Sequence, residues 1–324
     1  MSNIRVIAKK ANVSIATVSR YLNKNGYVSE KSKLAIERAI NEIGYTPNEL
    51  AKAVFNKSSK IIAVMVPNVF NPFFSQLVNE IENKVLKKGY TLMLFNTEDS
   101  REKEEECIKL VESYRVAGII TSRTKCHNFY KRINTPIVSF ESYISDDIIS
   151  ISSDNYAGGC MAFEHLYRCG CRKLLHIKGP KDFEATELRY KGFYDSATDK
   201  DISLDVLQLD ADFNLTLSEA DKIKLKNIGI YDGVFVFNDI TAVMIMKYIK
   251  DLGFNVPKDI KIIAFDNSYI SEYVTPELTT IEQQVGKIAE VSVNKLIDSI
   301  EGKDLDEKKY LIGVNLIERL STRR

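Results

Sequence analysis

The chain has 324 residues, 44% hydrophobic and 27% charged, which excludes a wholly disordered protein and suggests two domains, or three, at about 100–200 residues each. No apolar run approaches the ~18 residues of a membrane span, and the polar N-terminus lacks the apolar core of a secretion signal, so a cytoplasmic protein is expected. The net charge of +1 conceals an asymmetry: residues 1–60 carry eleven Lys/Arg against four Glu (+7), leaving 34 basic and 40 acidic residues (−6) for the remainder.

A basic head on an acidic body points to a nucleic-acid-binding module joined to something else, although a solvated basic surface fits the same count. Within the head, Ile4, Ile7, Ala8 and Ala11 repeat at helical spacing. Asn12, a residue that tolerates left-handed backbone, then marks a tight turn, and Ser14 is an N-cap for a second helix holding Val18, Tyr21 and Leu22. This is helix-turn-helix spacing, in which the second helix lies in the major groove. Ile15, Ala16 and Arg20 then point outward: Arg20 suits a guanine edge, and Ile15 and Ala16 suit apolar contacts such as a thymine methyl. Thr17, Ser19 and Asn23 suit phosphates, which position without reading sequence.

Ser29 caps a third helix with an apolar face of Leu34, Ile36, Ala39, Ile40 and Ile43, and Gly44 ends it. Thr46-Pro47-Asn48-Glu49 is a capping box that starts a very short helix, Pro47–Phe55, followed by a polar stretch to Lys60. So short a helix is marginal alone and reads either as a hinge that orders on a partner or as a plain linker.

Residues Ile4 to Arg20, together with Gly26-Tyr27-Val28-Ser29 and Gly44-Tyr45-Thr46-Pro47-Asn48, resemble the N-terminus of the lactose-repressor/galactose-repressor (LacI/GalR) family of bacterial transcription regulators. The resemblance implies a three-helix DNA-binding head with a hinge helix over residues 1–60. It implies a body over residues 61–324, like periplasmic sugar-binding proteins, that binds effector and dimerises. It also places Asn48, Ala51 and Val54 of the hinge helix on DNA. The sequence departs from the family at Val6, usually Asp, at Asn12, usually Gly, and at Val54, usually a leucine that wedges into the minor groove.

The body alternates strands and helices. Strands are expected at Ile61–Pro67, Thr91–Phe95, Ala117–Thr121, Pro136–Phe140 and Ile148–Ser152, with helices from Pro72 to about Lys88, over Arg101–Tyr114, and from about Asn155. A second series runs through strand Lys173–Ile177, helix Ala185–Ala197, strand Asp205–Leu209, helix Ser218–Ile228, strand Gly233–Phe237, helix Asp239–Leu252 and strand Ile260–Phe265. Repeated βα units imply parallel sheets, here two α/β lobes with a cleft between them. That the lobes interleave, with the chain recrossing near Thr279–Gln283 and Ile312–Ile317, is implied by the resemblance.

Ligands of open α/β sheets bind beyond the carboxyl ends of the strands. There the sequence places Asn71-Pro72-Phe73-Phe74, Glu141, Asp154-Asn155, Asn238-Asp239 and Asp266-Asn267, with Arg189 on a helix and Phe213 after a strand. Rings stack on the apolar face of a sugar while carboxylates, amides and an Arg hold its hydroxyls. Singly, each has a plainer reading: Asn71, Asp154 and Asn238 as helix caps, Phe74 as core. The motifs Leu188-Arg189-Tyr190-Lys191-Gly192-Phe193, Phe265-Asp266-Asn267 and Leu316-Ile317-Glu318-Arg319-Leu320 extend the resemblance over nearly the whole chain. It implies effector contacts from Phe73, Phe74, Glu141, Arg189, Phe213, Asn238 and Asp266, with Phe183 and Ala185 tuning which ligand fits.

No enzyme signature competes: there is no GxGxxG, no GxxxxGK[ST] and no GxSxG, and Gly158-Gly159 is too short for a phosphate cradle. The five cysteines (Cys107, Cys126, Cys160, Cys169 and Cys171) form no CxxC pair, and three dispersed histidines leave little for metal or triad chemistry. No enzyme activity, cofactor or metal is expected. The reading is a repressor of a carbohydrate-utilisation operon that leaves a palindromic operator when a small sugar binds. With no heptad tail before Arg324, a homodimer is expected. A purine, a phosphorylated metabolite or a protein coregulator is the alternative effector. A sugar-transport protein, which should carry a secretion signal and no basic head, is the more distant one.

Overall fold

A computed structural model describes residues 4–23, 25–45, 59–180, 183–209, 217–303 and 306–323. The chain divides between Ser59 and Lys60 into two units.

The first unit holds helices α1 (Ile4–Lys10), α2 (Ile15–Asn23) and α3 (Glu30–Ile43). Asn12 adopts a φ of 52°, the left-handed turn its side chain tolerates. The Ser14 hydroxyl accepts the Thr17 N–H at 3.1 Å and the Ser29 hydroxyl accepts the Ser32 N–H at 3.3 Å, so each serine satisfies a donor that its helix cannot. Gly44 ends α3 at a φ of 63°. Ile7, Ala8, Ala11, Val18, Val28, Ile36 and Ala39 form the core, and Tyr21 Oη ties α2 to α3 by donating to Glu37 at 2.7 Å. Leu34 departs from expectation. It is 54% exposed, because it lies two residues, ~200° of helix rotation, from Ile36 and therefore opposite the stripe of Ile36, Ala39, Ile40 and Ile43. The expected hinge helix, with Asn48, Ala51 and Val54, lies outside the described residues.

The second unit begins with β1 (Ile61–Val66), α4 (Pro72–Lys87), β2 (Thr91–Asn96), α5 (Arg101–Ser113), β3 (Gly118–Ser122), α6 (His127–Tyr130), β4 (Ile137–Phe140) and β5 (Ile149–Ser153). It continues with α7 (Asn155–Arg168), β6 (Lys173–Lys178), α8 (Glu184–Ala197), β7 (Ser203–Gln208), α9 (Glu219–Leu225), β8 (Gly233–Val236), α10 (Asp239–Asp251), β9 (Lys261–Asp266) and α11 (Ile270–Tyr273). It closes with β10 (Thr279–Gln283), α12 (Val285–Ile300), β11 (Lys309–Ile312) and β12 (Val314–Ile317).

The strands form two six-stranded sheets, ordered β11-β5-β4-β3-β1-β2 and β12-β10-β9-β8-β6-β7. Neighbours pair in parallel, except that β12 runs antiparallel to β10. Central strands such as β1, β3, β8 and β9 are buried along nearly their whole length, as parallel strands covered on both faces must be.

Three crossings join the lobes in the described residues. After β5 the chain passes at Asp154 into α7, whose Ala162, Phe163 and Leu166 pack with Phe193, Phe235 and Phe265 of the second lobe. After β10 it passes at Gln284 into α12, whose Ile288, Ala289, Val293 and Leu296 pack in the first lobe. At Gly313 it passes from β11, paired with β5, to β12, paired with β10. The expected recrossing over Ile312–Ile317 is thus two strands in two sheets. The helix from Asn155 does not close the first series but opens the second lobe.

Helix α7 meets α8 at very short range. A Cβ on Gly159 would lie 2.1 Å from the Arg189 carbonyl oxygen, and one on Gly192 would lie 2.0 Å from that of Tyr156. Only glycine permits this approach. Gly159 therefore serves helix packing, and the packing fixes where Arg189 leaves α8.

Candidate functional site

At the carboxyl ends of the two sheets, side chains from both lobes enclose a cavity of about 30 Å³. It is lined by Phe73, Phe74, Glu141, Arg189, Asn238 and Asp266, six of the seven residues expected to hold effector; Phe213 lies outside the described residues. Phe183, expected to tune the ligand, also lines it, together with Asn71, Ser122, Phe140, Phe237 and Gln283.

The aromatic side of the site is built by α4. Asn71 caps that helix, its Oδ1 accepting the Phe73 N–H at 3.0 Å, and Pro72 opens it. Phe73 and Phe74 then sit edge to face at 5.2 Å, and Phe73 stacks on Phe140 of β4 at 5.8 Å. Both phenylalanines are buried in the first-lobe core, so the plainer reading of Phe74 as core holds alongside its place in the lining.

The polar side is a closed ring of buried groups. Glu141 accepts the Ser153 backbone N–H and the Asn155 amide, each at 2.8 Å. Asn155 Oδ1 accepts from Arg189 Nε at 2.8 Å, and Arg189 Nη1 lies 3.7 Å from Asp266 Oδ1. Gln283 Nε2 donates to that oxygen at 2.7 Å, and Gln283 Oε1 accepts the Ser153 hydroxyl at 2.7 Å. Arg189 also donates to the Phe237 carbonyl at 2.5 Å, and its guanidinium lies 3.6 Å from the centroid of the Phe265 ring.

Burial in this ring acts against charge. It pushes Glu141 above the usual carboxylate range, opposed by the Arg189 guanidinium and by the Ser153 and Asn155 donors. It pushes Asp266 up to about 8, opposed by Arg189, and lowers Arg189 itself, opposed by Asp266 and Glu141. Glu141 and Asp266 also hold φ values of 52° and 121°, left-handed backbone that is uncommon for these residues. Their strands end at this strain, which aims both carboxylates into the cavity.

Asp154 and Asn238 do cap helices, accepting from the Ala157 and Thr241 N–H groups at 2.9 and 3.0 Å. For Asn238, whose Oδ1 is thus occupied, the amide Nδ2 is the group left to face a ligand. Four lining residues lie outside the expected set: Phe140 and Phe237, placed by sequence only within strands, and the polar Ser122 and Gln283. Ser122, at the end of β3, is buried with its Oγ lacking a hydrogen-bond partner among the described residues. Gln283 was read only as part of a crossing strand. Their positions at strand ends were the available signal, but serine and glutamine at strand ends are too common to stand out. Elsewhere, Cys169-Gly170-Cys171 forms a helix-to-strand turn, and burial pushes the Cys171 thiol up to about 12, away from the reactive thiolate.

In the head, α2 leaves Ile15, Ala16 and Arg20 exposed, with Thr17 and Ser19 half-buried. The Thr17 hydroxyl lies 2.8 Å from that of Ser14, so its geometry at the start of the helix is fixed. Tyr27, in the loop before α3, is 87% exposed. The side chain of Asn23 is outside the described residues. No helix among the described residues is long and apolar enough to cross a membrane.

A helix-turn-helix head joined to a two-lobed body with a polar cleft defines a regulator built from a DNA reader and a binding-protein fold. Residues 3–48 match the bacterial regulatory proteins of the lacI family, and residues 163–322 match a periplasmic binding protein-like domain. Over its whole length the chain is 36% identical to the ribose operon repressor of Halalkalibacterium halodurans, covering 98% of that protein. It is 33% identical to the sucrose operon repressor of Streptococcus mutans over 96% of each chain. The body superposes with a TM-score of 0.77 on a periplasmic binding protein/LacI transcriptional regulator from Alkaliphilus metalliredigens complexed with D-xylulofuranose, at 48% identity, covering 82% of this chain and all of that one. The lac repressor dimer bound to operator and the anti-inducer ONPF matches 99% of both chains with a TM-score of 0.87 and 25% identity. The chain belongs to the lacI family of bacterial regulatory proteins. It is a DNA-binding transcriptional regulator, not an enzyme.

Proposed function

We propose that the protein is a cytoplasmic, homodimeric repressor of a carbohydrate-utilisation operon, released from a palindromic operator by a small neutral sugar. Residues 1–60 form the DNA-binding domain and residues 61–324 the effector-binding and dimerisation domain. The observation that carries the sugar reading is the polar ring facing the Phe73, Phe74 and Phe140 wall. Its acceptors and donors bond to one another, and the space of about 30 Å³ between the lobes holds no more than about two waters. A sugar enters only if the lobes part and its hydroxyls replace these mutual bonds. Ligand binding and lobe movement are therefore linked, and a ligand that favours one lobe arrangement shifts the equilibrium between them. The ribose and sucrose repressors and the xylulofuranose complex among its relatives support a pentose or ketose held as a furanose.

On DNA, Ile15, Ala16 and Arg20 face base edges, and Thr17, Ser19 and Asn23 hold phosphates, with Asn48, Ala51 and Val54 of the expected hinge helix as further DNA contacts. Two such heads placed by a dimer axis read the two halves of a palindrome. The operator-bound dimer among the solved structures supports this arrangement.

The experiment is a thermal-shift screen of the purified protein against D-ribose, D-xylulose, D-fructose, sugar phosphates and purines, followed by operator binding with and without each hit. A ligand at 100 times its Kd adds ~2.7 kcal/mol to the native state. A neutral sugar that both stabilises the protein and releases operator is the expected result. A purine or sugar phosphate as sole hit overturns the sugar reading.

A further inference from the structure

Beside the closed central site lies a second, much larger space. A cavity of about 450 Å³ opens between the edge of the first sheet and the start of α8, and Glu141 lines both it and the central site. Its floor is one face of the β5 and β11 pair, where Ser152 and Leu311 are partners in register, as are Ser150 and Lys309. The opposite face of these strands is packed under α12 with Ile149, Ile151 and Ile312, so only the Ser152 and Leu311 side is free to form a wall. Tyr143 closes one rim, with Lys309 Nζ 4.8 Å from its ring centroid. Glu184, Ala185 and Leu188 of α8 face the floor from the other lobe.

We infer that this cavity is a second subsite, taking a neutral second ring attached to the sugar held in the central site. The inference rests on the sugar reading above and specifies the class of effector. The volume lies in the range of small-ligand pockets, whereas the central cavity does not. The lining has the composition a sugar ring needs: an aromatic face at Tyr143, an apolar floor at Leu311, and hydroxyls and carboxylates for hydroxyl groups. Its charge does not favour a phosphoryl group, since Lys309 is already paired with Asp146 at 3.2 Å and Glu184 adds a carboxylate to the lining. Glu141 lines both spaces and separates them through its bonds to Ser153 and Asn155, so a two-ring ligand spans them once those bonds give way. A ligand spanning them touches β5, β11 and α8 together, and therefore both lobes.

The test uses the full-length protein and isothermal titration with D-fructose, D-ribose and D-xylulose as single rings and sucrose as the two-ring probe carrying a furanose. Tyr143→Ala and Leu311→Arg alter exposed side chains on the cavity wall, outside the polar ring of the central site. The expected result is sucrose binding at least 10-fold tighter than fructose. Each variant should remove that advantage while single-ring binding and operator affinity stay within twofold. Equal affinity for sucrose and fructose in the unmodified protein, or an equal loss for both in the variants, overturns the subsite and leaves the sugar reading standing. Failure of every sugar to bind overturns both.

Discussion

Gln283 joins the two ends of the polar ring: its amide nitrogen donates to Asp266 Oδ1 and its amide oxygen accepts the Ser153 hydroxyl, both at 2.7 Å. Ser153 and Gln283 end the strands that precede two of the three lobe crossings. A change at Asp266 is therefore one side chain away from both crossings. Gln283→Ala leaves two buried groups without a partner, at roughly 1–3 kcal/mol each. Calorimetry should show a lower melting temperature, and a sugar titration of operator release should need more effector. A variant with unchanged stability and unchanged response would remove Gln283 from the link.

Asp266→Asn keeps an acceptor for Gln283 and replaces the carboxyl facing Arg189 with an amide. Operator affinity in the absence of effector should stay within threefold, while release by sugar is lost or needs at least 10-fold more ligand. Anisotropy of labelled operator measures both quantities on one sample. Normal release would exclude Asp266 from the effector site.

Arg20 is exposed on α2 and makes the candidate base contact. Arg20→Ala should cost ~1–3 kcal/mol of discrimination between operator and mismatched DNA, with little change in the salt dependence of binding. Competition between the two DNAs at several salt concentrations distinguishes this from a phosphate contact, which would lower the salt slope and leave discrimination intact.

Gly159→Ala places a methyl group 2.1 Å from the Arg189 carbonyl oxygen. Backbone must shift, so a destabilisation of ~1–3 kcal/mol or more is expected, with weakened effector binding because Arg189 moves with α8. Denaturant unfolding and sugar titration read the two effects. Unchanged stability would mean that the α7–α8 contact is looser than its geometry.

His176 is buried against Phe193 and Phe235, and burial lowers its pKa to about 3. The native state therefore binds no proton there while the unfolded chain, near pKa 6.5, does. Stability falls as pH drops below ~6.5 and continues to fall to about pH 3, by ~1.4 kcal/mol per unit. His176→Phe abolishes this term. Relative to the unmodified protein, the variant should gain ~2 kcal/mol on going from pH 7 to pH 5, measured by urea unfolding at each pH. Parallel pH profiles for the two proteins would show that His176 is protonated in the native state.

Much of the head was legible because its signals are local. Ser14, Asn12, Ser29 and Gly44 act within a turn of their own positions, and the structure places each as its chemistry required. Leu34 is the exception, because its apolar character does not reveal that helix rotation sets it opposite the stripe. In the body, the βα alternation was legible from apolar runs and glycine stops. The crossing at Asp154 was not, because a capped helix reads the same whichever lobe it packs in. Residues at strand ends were legible as candidates, and six of those expected at the effector site meet in one cavity.

The sequence by itself determined the helix-turn-helix spacing, the asymmetric charge, the two series of βα units and the types of side chain available at strand ends. These follow from residue-by-residue preferences and from periodicity. Only the tertiary structure decided that Glu141, Asn155, Arg189, Asp266, Gln283 and Ser153 close a single ring, and that Ser152, Leu311 and Tyr143 wall a separate space beside it. The physical reason is separation along the chain. Ser153 and Gln283 lie 130 positions apart, and they meet because three crossings and the glycine-lined contact of α7 with α8 bring the lobes into one register.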